Sequence, residues 1–92
     1  MNKITIDGVI QDLEIFKNGD SANVVFMLTT KGADGVSYEI MCCGHSFSTT
    51  EPKNLKNDMY ISVIGSLEFD SDSKTPFILV NFQETSKNSS EK

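Results

Sequence analysis

The clearest structural signal in this chain is a polar turn followed at once by an apolar, β-prone run: Leu55-Lys56-Asn57-Asp58-Met59-Tyr60-Ile61-Ser62-Val63-Ile64-Gly65-Ser66-Leu67-Glu68-Phe69. Gly65 lies inside this run and not at its end. A glycine inside a strand is typical of a bulge, or of a bend where a small barrel turns a corner. Residues 3–10 show the same pattern around Gly8. Two such strands in so short a chain predict a closed or half-closed barrel with sharply curved strands.

The alternation of apolar residues predicts five strands. They span residues 2–16, 23–30, 36 to 43 or 44, 59–69 and 77–82. Asn18-Gly19 predicts a hairpin after the first strand, and a parity shift across Gly8 and Asp12 predicts a bend or bulge within it. A hydroxyl cap and Pro52 in residues 49–52 predict a short helix. We therefore expect an all-β fold: a five-stranded antiparallel OB-fold barrel with a short helix between strands 3 and 4.

Length and hydropathy predict one small domain. The 92 residues are 38% hydrophobic, which suffices for one shared core. We expect an OB-fold domain at 1–85 and a disordered tail at 86–92, because no apolar residue follows Phe82. No apolar run approaches a membrane span and no signal segment precedes the first strand, so a cytoplasmic protein without membrane contact is expected.

The charge balance lowers the expectation of a nucleic-acid partner. Thirteen acidic residues oppose eight lysines, arginine is absent, and the net charge is −5. Nucleic-acid-binding domains usually carry a basic face, and arginine is the side chain best suited to phosphate forks and base stacking. Such a chain can still bind a nucleic acid if its lysines cluster.

The cysteines and the single histidine predict neither a metal site nor an enzyme. Cys42 and Cys43 are adjacent, so in a strand they point to opposite faces and are expected to be reduced thiols. With His45 they do not form the spaced set of four ligands that structural zinc requires. No Gly-rich phosphate loop or nucleophile–base pair accompanies them. No cofactor and no enzymatic activity are expected.

Three segments, taken together, resemble the bacterial and phage single-stranded DNA-binding proteins. Residues 1–8 are similar to the opening strand of that family, Met-Asn-(Lys/Arg)-apolar-x-apolar-x-Gly. Asn18-Gly19 followed by residues 25–30 resembles its hairpin and second strand. Residues 55–67 resemble its segment Leu-Lys-Lys-Gly-x-x-apolar-x-apolar-x-Gly-x-Leu. The resemblance spans residues 1–85 and implies binding of single-stranded DNA without strong sequence preference, in replication, recombination, or plasmid or phage maintenance.

Two departures point to one branch of the resemblance. The family presents tryptophans to the bases and ends in an acidic tail with an apolar tip, whereas this chain has no tryptophan and no such tip. The related dimeric primosomal replication proteins lack that tail. Both faces of strands two and three carry apolar residues; in strand two, Val25 and Met27 lie opposite Val24, Phe26 and Leu28. The second face predicts an interface or binding surface, and we expect a homodimer or homotetramer and, as further partners, replication proteins.

Single-strand binding requires aromatic faces for bases and cations along the phosphates. By resemblance, Tyr38 falls where the family places a stacking tryptophan; the alternative is a half-buried tyrosine at the barrel rim or at a subunit interface. Other aromatic candidates near strand ends can equally belong to the core, and the lysines can simply solvate the surface. The nucleic-acid-binding candidates are Tyr38, Phe16, Phe47, Phe69, Lys17, Lys31, Lys74 and Lys3, while Phe26, Phe77 and Phe82 are assigned to packing.

A second function remains open at this point. The same barrel can serve as a protein-interaction module with little DNA affinity, which the absent arginine and tryptophan and the negative charge favour. Residues 68–72 are acidic and would repel phosphates if they faced the groove. They would then shorten the DNA-binding surface or serve another partner.

Overall fold

The computed structural model describes residues 2–46, 55–82 and 85, and every regular element in these ranges is a β-strand. The strands are β1 (Ile4–Asn18), β2 (Ser21–Lys31), β3 (Ser37–Ser46), β4 (Tyr60–Phe69) and β5 (Pro76–Val80). The all-β prediction is confirmed. The helix predicted at 49–52 lies outside the described residues.

The sheet closes on itself through β1. The strand order is β1-β2-β3-β5-β4, and it forms a closed barrel. The first half of β1, Ile4 to Val9, pairs with β4, and the second half, from Val9 to Asn18, pairs with β2. Val9 has partners on both sides, so the two ladders overlap at this residue.

One pair of strands runs parallel, and the prediction of a purely antiparallel barrel is wrong. β3 and β5 pair in parallel, with Met41 opposite Phe77. The other four neighbouring pairs are antiparallel. The reason is geometric, since directions cannot alternate all the way around a ring with an odd number of strands. A closed five-stranded barrel therefore contains at least one parallel pair.

The predicted irregularity of β1 divides into two features. The bulge lies at Asp12, where φ is 55° and the register shifts between Gln11 and Glu14. Gly8 keeps its regular pairing with Ile61 of β4, and its lack of a side chain lets β1 approach β2 closely. A Cβ at Gly8 would lie only 2.5 Å from the carbonyl oxygen of Thr29 on β2. β1 can thus leave β4 for β2 at this point because no side chain intervenes.

The polar turn before β4 stabilises the bulge by hydrogen bonds to β1. The Asp58 N–H donates to the carbonyl oxygen of Ile10 at 2.7 Å, and the Asn57 side-chain oxygen accepts from the Leu13 N–H at 2.9 Å. Asp58 has a φ of 72°, at the position where the resembled segment has glycine. Aspartate is among the residues that best tolerate the left-handed region. This turn therefore keeps its conformation without glycine.

The core fills the barrel from all five strands. Phe26 is 1% exposed and Phe82 is 7% exposed, which confirms their assignment to packing. Phe77 was assigned wrongly, because it is only half-buried and lies on the outer face of β5. β5 ends at Val80, two residues before the predicted end. The buried cluster comprises Ile10, Val24, Phe26, Leu28, Cys42, Leu55, Ile61, Val63, Ile78, Val80 and Phe82.

We predict that Gly65→Ala weakens the contact between β4 and β5. A Cβ at Gly65 would overlap the carbonyl oxygen of Leu79, and backbone cannot move aside as a flexible side chain can. The free energy of unfolding should fall by about 1–3 kcal/mol, measured by urea denaturation. Ser66→Ala is the control, because its Cβ already exists and points outward, and it should change that value by less than about 0.5 kcal/mol. Equal stability of the glycine variant and the parent would contradict this β4–β5 register.

Candidate nucleic-acid interface

Six of the eight candidate residues fall into three pairs, one pair at each of three hairpin turns. Each pair combines an exposed aromatic ring with an exposed lysine. Such a combination can stack a base and approach its phosphate. The pairs are Phe16 with Lys17 at the β1–β2 turn, Tyr38 with Lys31 at the β2–β3 turn, and Phe69 with Lys74 at the β4–β5 turn. We call these three sites the aromatic–lysine turns.

Tyr38 is held by its own turn. Its ring is 50% exposed and lies against Gly32, where an added Cβ would be 2.7 Å from the ring carbon Cε2. The Tyr38 hydroxyl donates to the Asp34 carboxylate at 2.6 Å. This hydrogen bond, followed by one from the Val36 N–H, lowers the pKa of Asp34, and it raises the pKa of Tyr38. The ring is thus ordered before any ligand arrives, but it has a carboxylate beside it.

Phe16 lies on the outer face of the barrel and is 54% exposed. Its cross-strand neighbour is Asn23, which in turn pairs with His45 on β3. A hydrogen bond of 2.7 Å joins His45 Nδ1 and the side-chain oxygen of Asn23. An aromatic ring and two groups able to hydrogen-bond a base edge therefore follow one another across three strands.

The β4–β5 turn is organised by Asp70. Its carboxylate accepts hydrogen bonds from the Ser73 N–H at 2.8 Å, the Ser73 hydroxyl at 3.0 Å and the Asp72 N–H at 3.1 Å. The bonds from Ser73, backbone first, lower the pKa of Asp70. Lys74 has a φ of 63° and donates from Nζ to the carbonyl oxygen of Ser71 at 3.2 Å. Phe69, at the start of this turn, is 61% exposed.

The remaining two candidates do not join these turns. Lys3 is exposed and precedes β1, next to Asn2, whose side chain hydrogen-bonds the backbone of Leu67 on β4. Phe47 lies outside the described residues. The structure therefore distributes the predicted residues over the barrel surface and does not gather them into one cleft.

An apolar outer face crosses β2, β3 and β5. The register places Met27 beside Met41 and Met41 beside Phe77. A second row, formed by Val25, Cys43 and Leu79, runs beside the first one. The six residues, here called the outer apolar face, are Val25, Met27, Met41, Cys43, Phe77 and Leu79. The sequence indicated apolar residues on both faces of β2 and β3, but it did not indicate that Phe77 and Leu79 of β5 continue this face.

A groove with a volume of about 410 Å³ lies between this face and the β4–β5 turn. Its walls are mostly apolar, and its rim carries the polar groups of the turn. The lining residues are Met41, Cys43, Asp70, Ser73, Thr75, Pro76 and Phe77. In the five-stranded oligonucleotide-binding barrel, ligands bind on the face of strands 2 and 3, between the β1–β2 and β4–β5 loops. The groove lies where this face meets the β4–β5 turn.

The two cysteines are free thiols on opposite faces of β3. Cys42 is buried in the core, and burial together with the charge of Cys43 raises its pKa to about 12. Cys43 faces the groove, and partial burial raises its pKa as well. Among residues 2–46, 55–82 and 85, no three His, Cys, Asp or Glu side chains are placed to hold a metal ion.

Comparison with solved structures assigns the fold. The second single-stranded DNA-binding protein (SSBb) of Mycobacterium smegmatis superposes with a TM-score of 0.69 at 13% identity, covering 87% of this chain and 83% of that one. PriB of Ralstonia solanacearum gives 0.66 at 13% identity, covering 88% and 93%. The dimeric N-terminal domain of PriB from Thermoanaerobacter tencongensis gives 0.67 at 17% identity, covering 87% and 90%.

These similarities cover most of each compared chain and establish a shared oligonucleotide/oligosaccharide-binding fold. No sequence model of a protein family and no curated protein sequence matches the chain. In the part of the chain that the structure describes, no helix is long and apolar enough to cross a membrane.

We predict that the two thiols differ in reactivity. Iodoacetamide should modify Cys43 at least about tenfold faster than Cys42, because only the thiolate reacts and Cys42 is buried with the higher pKa. Since the pKa of Cys43 is also raised, its rate should begin to climb at a higher pH than that of a free thiol. Tandem mass spectrometry distinguishes the two sites, and Cys43→Ser should leave only the slow reaction. Faster modification of Cys42 would place the wrong face of β3 inside the barrel.

Proposed function

We propose that this protein binds single-stranded DNA, without strong sequence preference, through its aromatic–lysine turns. The observation that carries the proposal is the pairing of an exposed ring with a lysine at three separate turns of one barrel. The fold shared with SSBb and PriB supports it, since the former is a single-stranded DNA-binding protein. Every base has a π-face, so stacking on such rings tolerates any sequence.

The mechanism that fits these turns is led by stacking. Separate bases of one strand stack on the rings of Phe16, Tyr38 and Phe69, while the adjacent lysines offset part of the phosphate charge. Lys74 must first release the carbonyl oxygen of Ser71. Asp34 beside Tyr38 further weakens attraction to the phosphates. The electrostatic contribution to affinity is therefore small compared with that of a basic single-strand-binding protein.

The proposed setting is DNA replication, recombination, or plasmid or phage maintenance in the cytoplasm, without catalysis. The alternative is a protein-interaction module with little affinity for DNA. One observation favours this alternative: Asp70, at the centre of the acidic stretch 68–72, lines the groove. Phosphates approaching that border of the outer face meet negative charge.

We predict that Tyr38→Ala weakens binding of a fluorescein-labelled dT oligonucleotide by about tenfold or more, because one stacking platform is lost. Tyr38→Phe should bind as the parent does, since it keeps the ring and loses only the hydrogen bond to Asp34. Lys17→Ala should cost less than Tyr38→Ala. Fluorescence anisotropy measures affinity, and the slope of log affinity against log salt should be about −0.7 per contacted phosphate, with roughly two or three contacts in the parent.

Each outcome of this titration has a distinct meaning. Lys17→Ala should flatten the salt slope, whereas Tyr38→Ala should leave it unchanged. Undiminished binding by a correctly folded Tyr38→Ala protein would make Tyr38 structural and refute its assigned role. If the parent fails to bind the oligonucleotide even at low salt, the DNA-binding proposal falls and the interaction module replaces it.

We also propose that the chain forms a homodimer or homotetramer, because apolar side chains cover parts of the outer face as well as the core. The PriB N-terminal domain of similar fold is dimeric. Sedimentation equilibrium at micromolar concentration should give at least twice the monomer mass of 10.2 kDa. A strict monomer throughout that range would refute self-association.

A further inference from the structure

The groove beside the β4–β5 turn is lined by neither the ring of Phe69 nor the side chain of Lys74. Its floor is formed by Met41 and Cys43 of β3 and by Phe77 of β5. Met41 is 43% exposed although it sits in the middle of the sheet. A volume of about 410 Å³ falls within the range of about 300–1,000 Å³ that is typical of ligand pockets. The groove can therefore enclose a large apolar side chain.

Carboxylates border this apolar floor. Asp70 lines the groove itself. Glu68 lies directly opposite Phe77 on the neighbouring strand. Glu39 precedes Met41 by two residues on β3 and shares its face. The β4–β5 turn also carries a cation, Lys74, but its Nζ donates a hydrogen bond to the carbonyl oxygen of Ser71. The potential around the floor is consequently negative.

The apolar floor and the acidic border each favour a different chemical group in a ligand. Apolar walls favour an aromatic or long aliphatic group, and methionine adapts its shape to such a group and contacts aromatic rings favourably. The border favours cations and disfavours phosphates, most strongly in a concave site that focuses the field. A nucleotide satisfies the first requirement and violates the second. A peptide with an apolar residue between lysines or arginines satisfies both.

We propose that this groove binds a basic segment of a partner protein. An aromatic or long aliphatic side chain of that segment inserts between Met41 and Phe77, and flanking lysines or arginines face Glu39, Glu68 and Asp70. The site is separate from Phe16 and Lys17 at the β1–β2 turn, so the inference does not depend on DNA binding. It gives the acidic stretch 68–72 a function that phosphate binding leaves unexplained.

The test uses the full chain with ¹³C-methyl-labelled methionine and three capped peptides, Lys-Lys-Phe-Lys-Lys, Lys-Lys-Ser-Lys-Lys and Glu-Glu-Phe-Glu-Glu. The Met41 methyl resonance reports on the groove. That of Met59, which packs against the core, is the internal reference. The first peptide should shift Met41 in a saturable way and leave Met59 unchanged. The other two peptides should bind at least about tenfold more weakly, because each lacks either the anchor or the cations.

Matched variants separate the groove from the rest of the outer face. Leu79 is 46% exposed, close to the 43% of Met41, and is not part of the groove. Leu79→Ser should therefore leave peptide affinity unchanged, whereas Met41→Ser should lower it about tenfold. The double change Glu39→Gln and Glu68→Gln removes two charges and keeps the side-chain shapes. This double variant should bind the basic peptide several-fold more weakly, and that binding should depend less on salt concentration.

Several results would overturn the inference. They are equal binding of the phenylalanine and serine peptides, binding of the acidic peptide, or loss of affinity in Leu79→Ser but not in Met41→Ser. Displacement of the basic peptide from the groove by a dT oligonucleotide that shifts Met41 would assign the groove to DNA. The anisotropy assay on the same samples reports DNA binding independently. Failure of one proposal therefore remains distinguishable from failure of the other.

Discussion

The barrel depends on the sharing of β1 between two neighbours. Its first half completes the ladder of β4 and its second half that of β2, with Val9 paired on both sides. Closure around five strands then forces one parallel pair, and in this chain that pair is β3 with β5. The same pairing sets Met41 against Phe77 on the outer face. The groove is thus a direct consequence of how the barrel closes.

The surface carries two kinds of site with opposite electrostatic preferences. In the proposed function, the aromatic–lysine turns offer rings and cations to a nucleic-acid strand, although Asp34 and Asp70 sit within two of these turns. The groove offers an apolar floor bordered by carboxylates. With a net charge of −5, the protein as a whole does not attract DNA over long distances. The proposed binding of DNA therefore relies on short-range stacking, and the acidic border remains available to the proposed cationic partner.

Local patterns predicted much of the fold because they act over short distances. The hairpin at Asn18-Gly19 and the parity shift at Asp12 were both read correctly, and so was the burial of Phe26. The all-antiparallel sheet was wrong, since strand direction around a closed ring is a global property. Phe77 was misassigned because an apolar residue within a short strand has the same local pattern whether it faces the core or a groove.

The sequence by itself determined the all-β class and the number of strands in the part of the chain that the structure describes, and which residue types are available for stacking and for phosphate contact. Alternation, turn chemistry and composition are local, and each is written directly in the order of residues. Only the tertiary structure decided that the candidate rings are spread over the barrel surface and not gathered in one cleft, and that Met41, Phe77 and Asp70 share a groove. Residues 41, 70 and 77 are brought together by strand register and by closure of the barrel, and neither is encoded at any one of those positions.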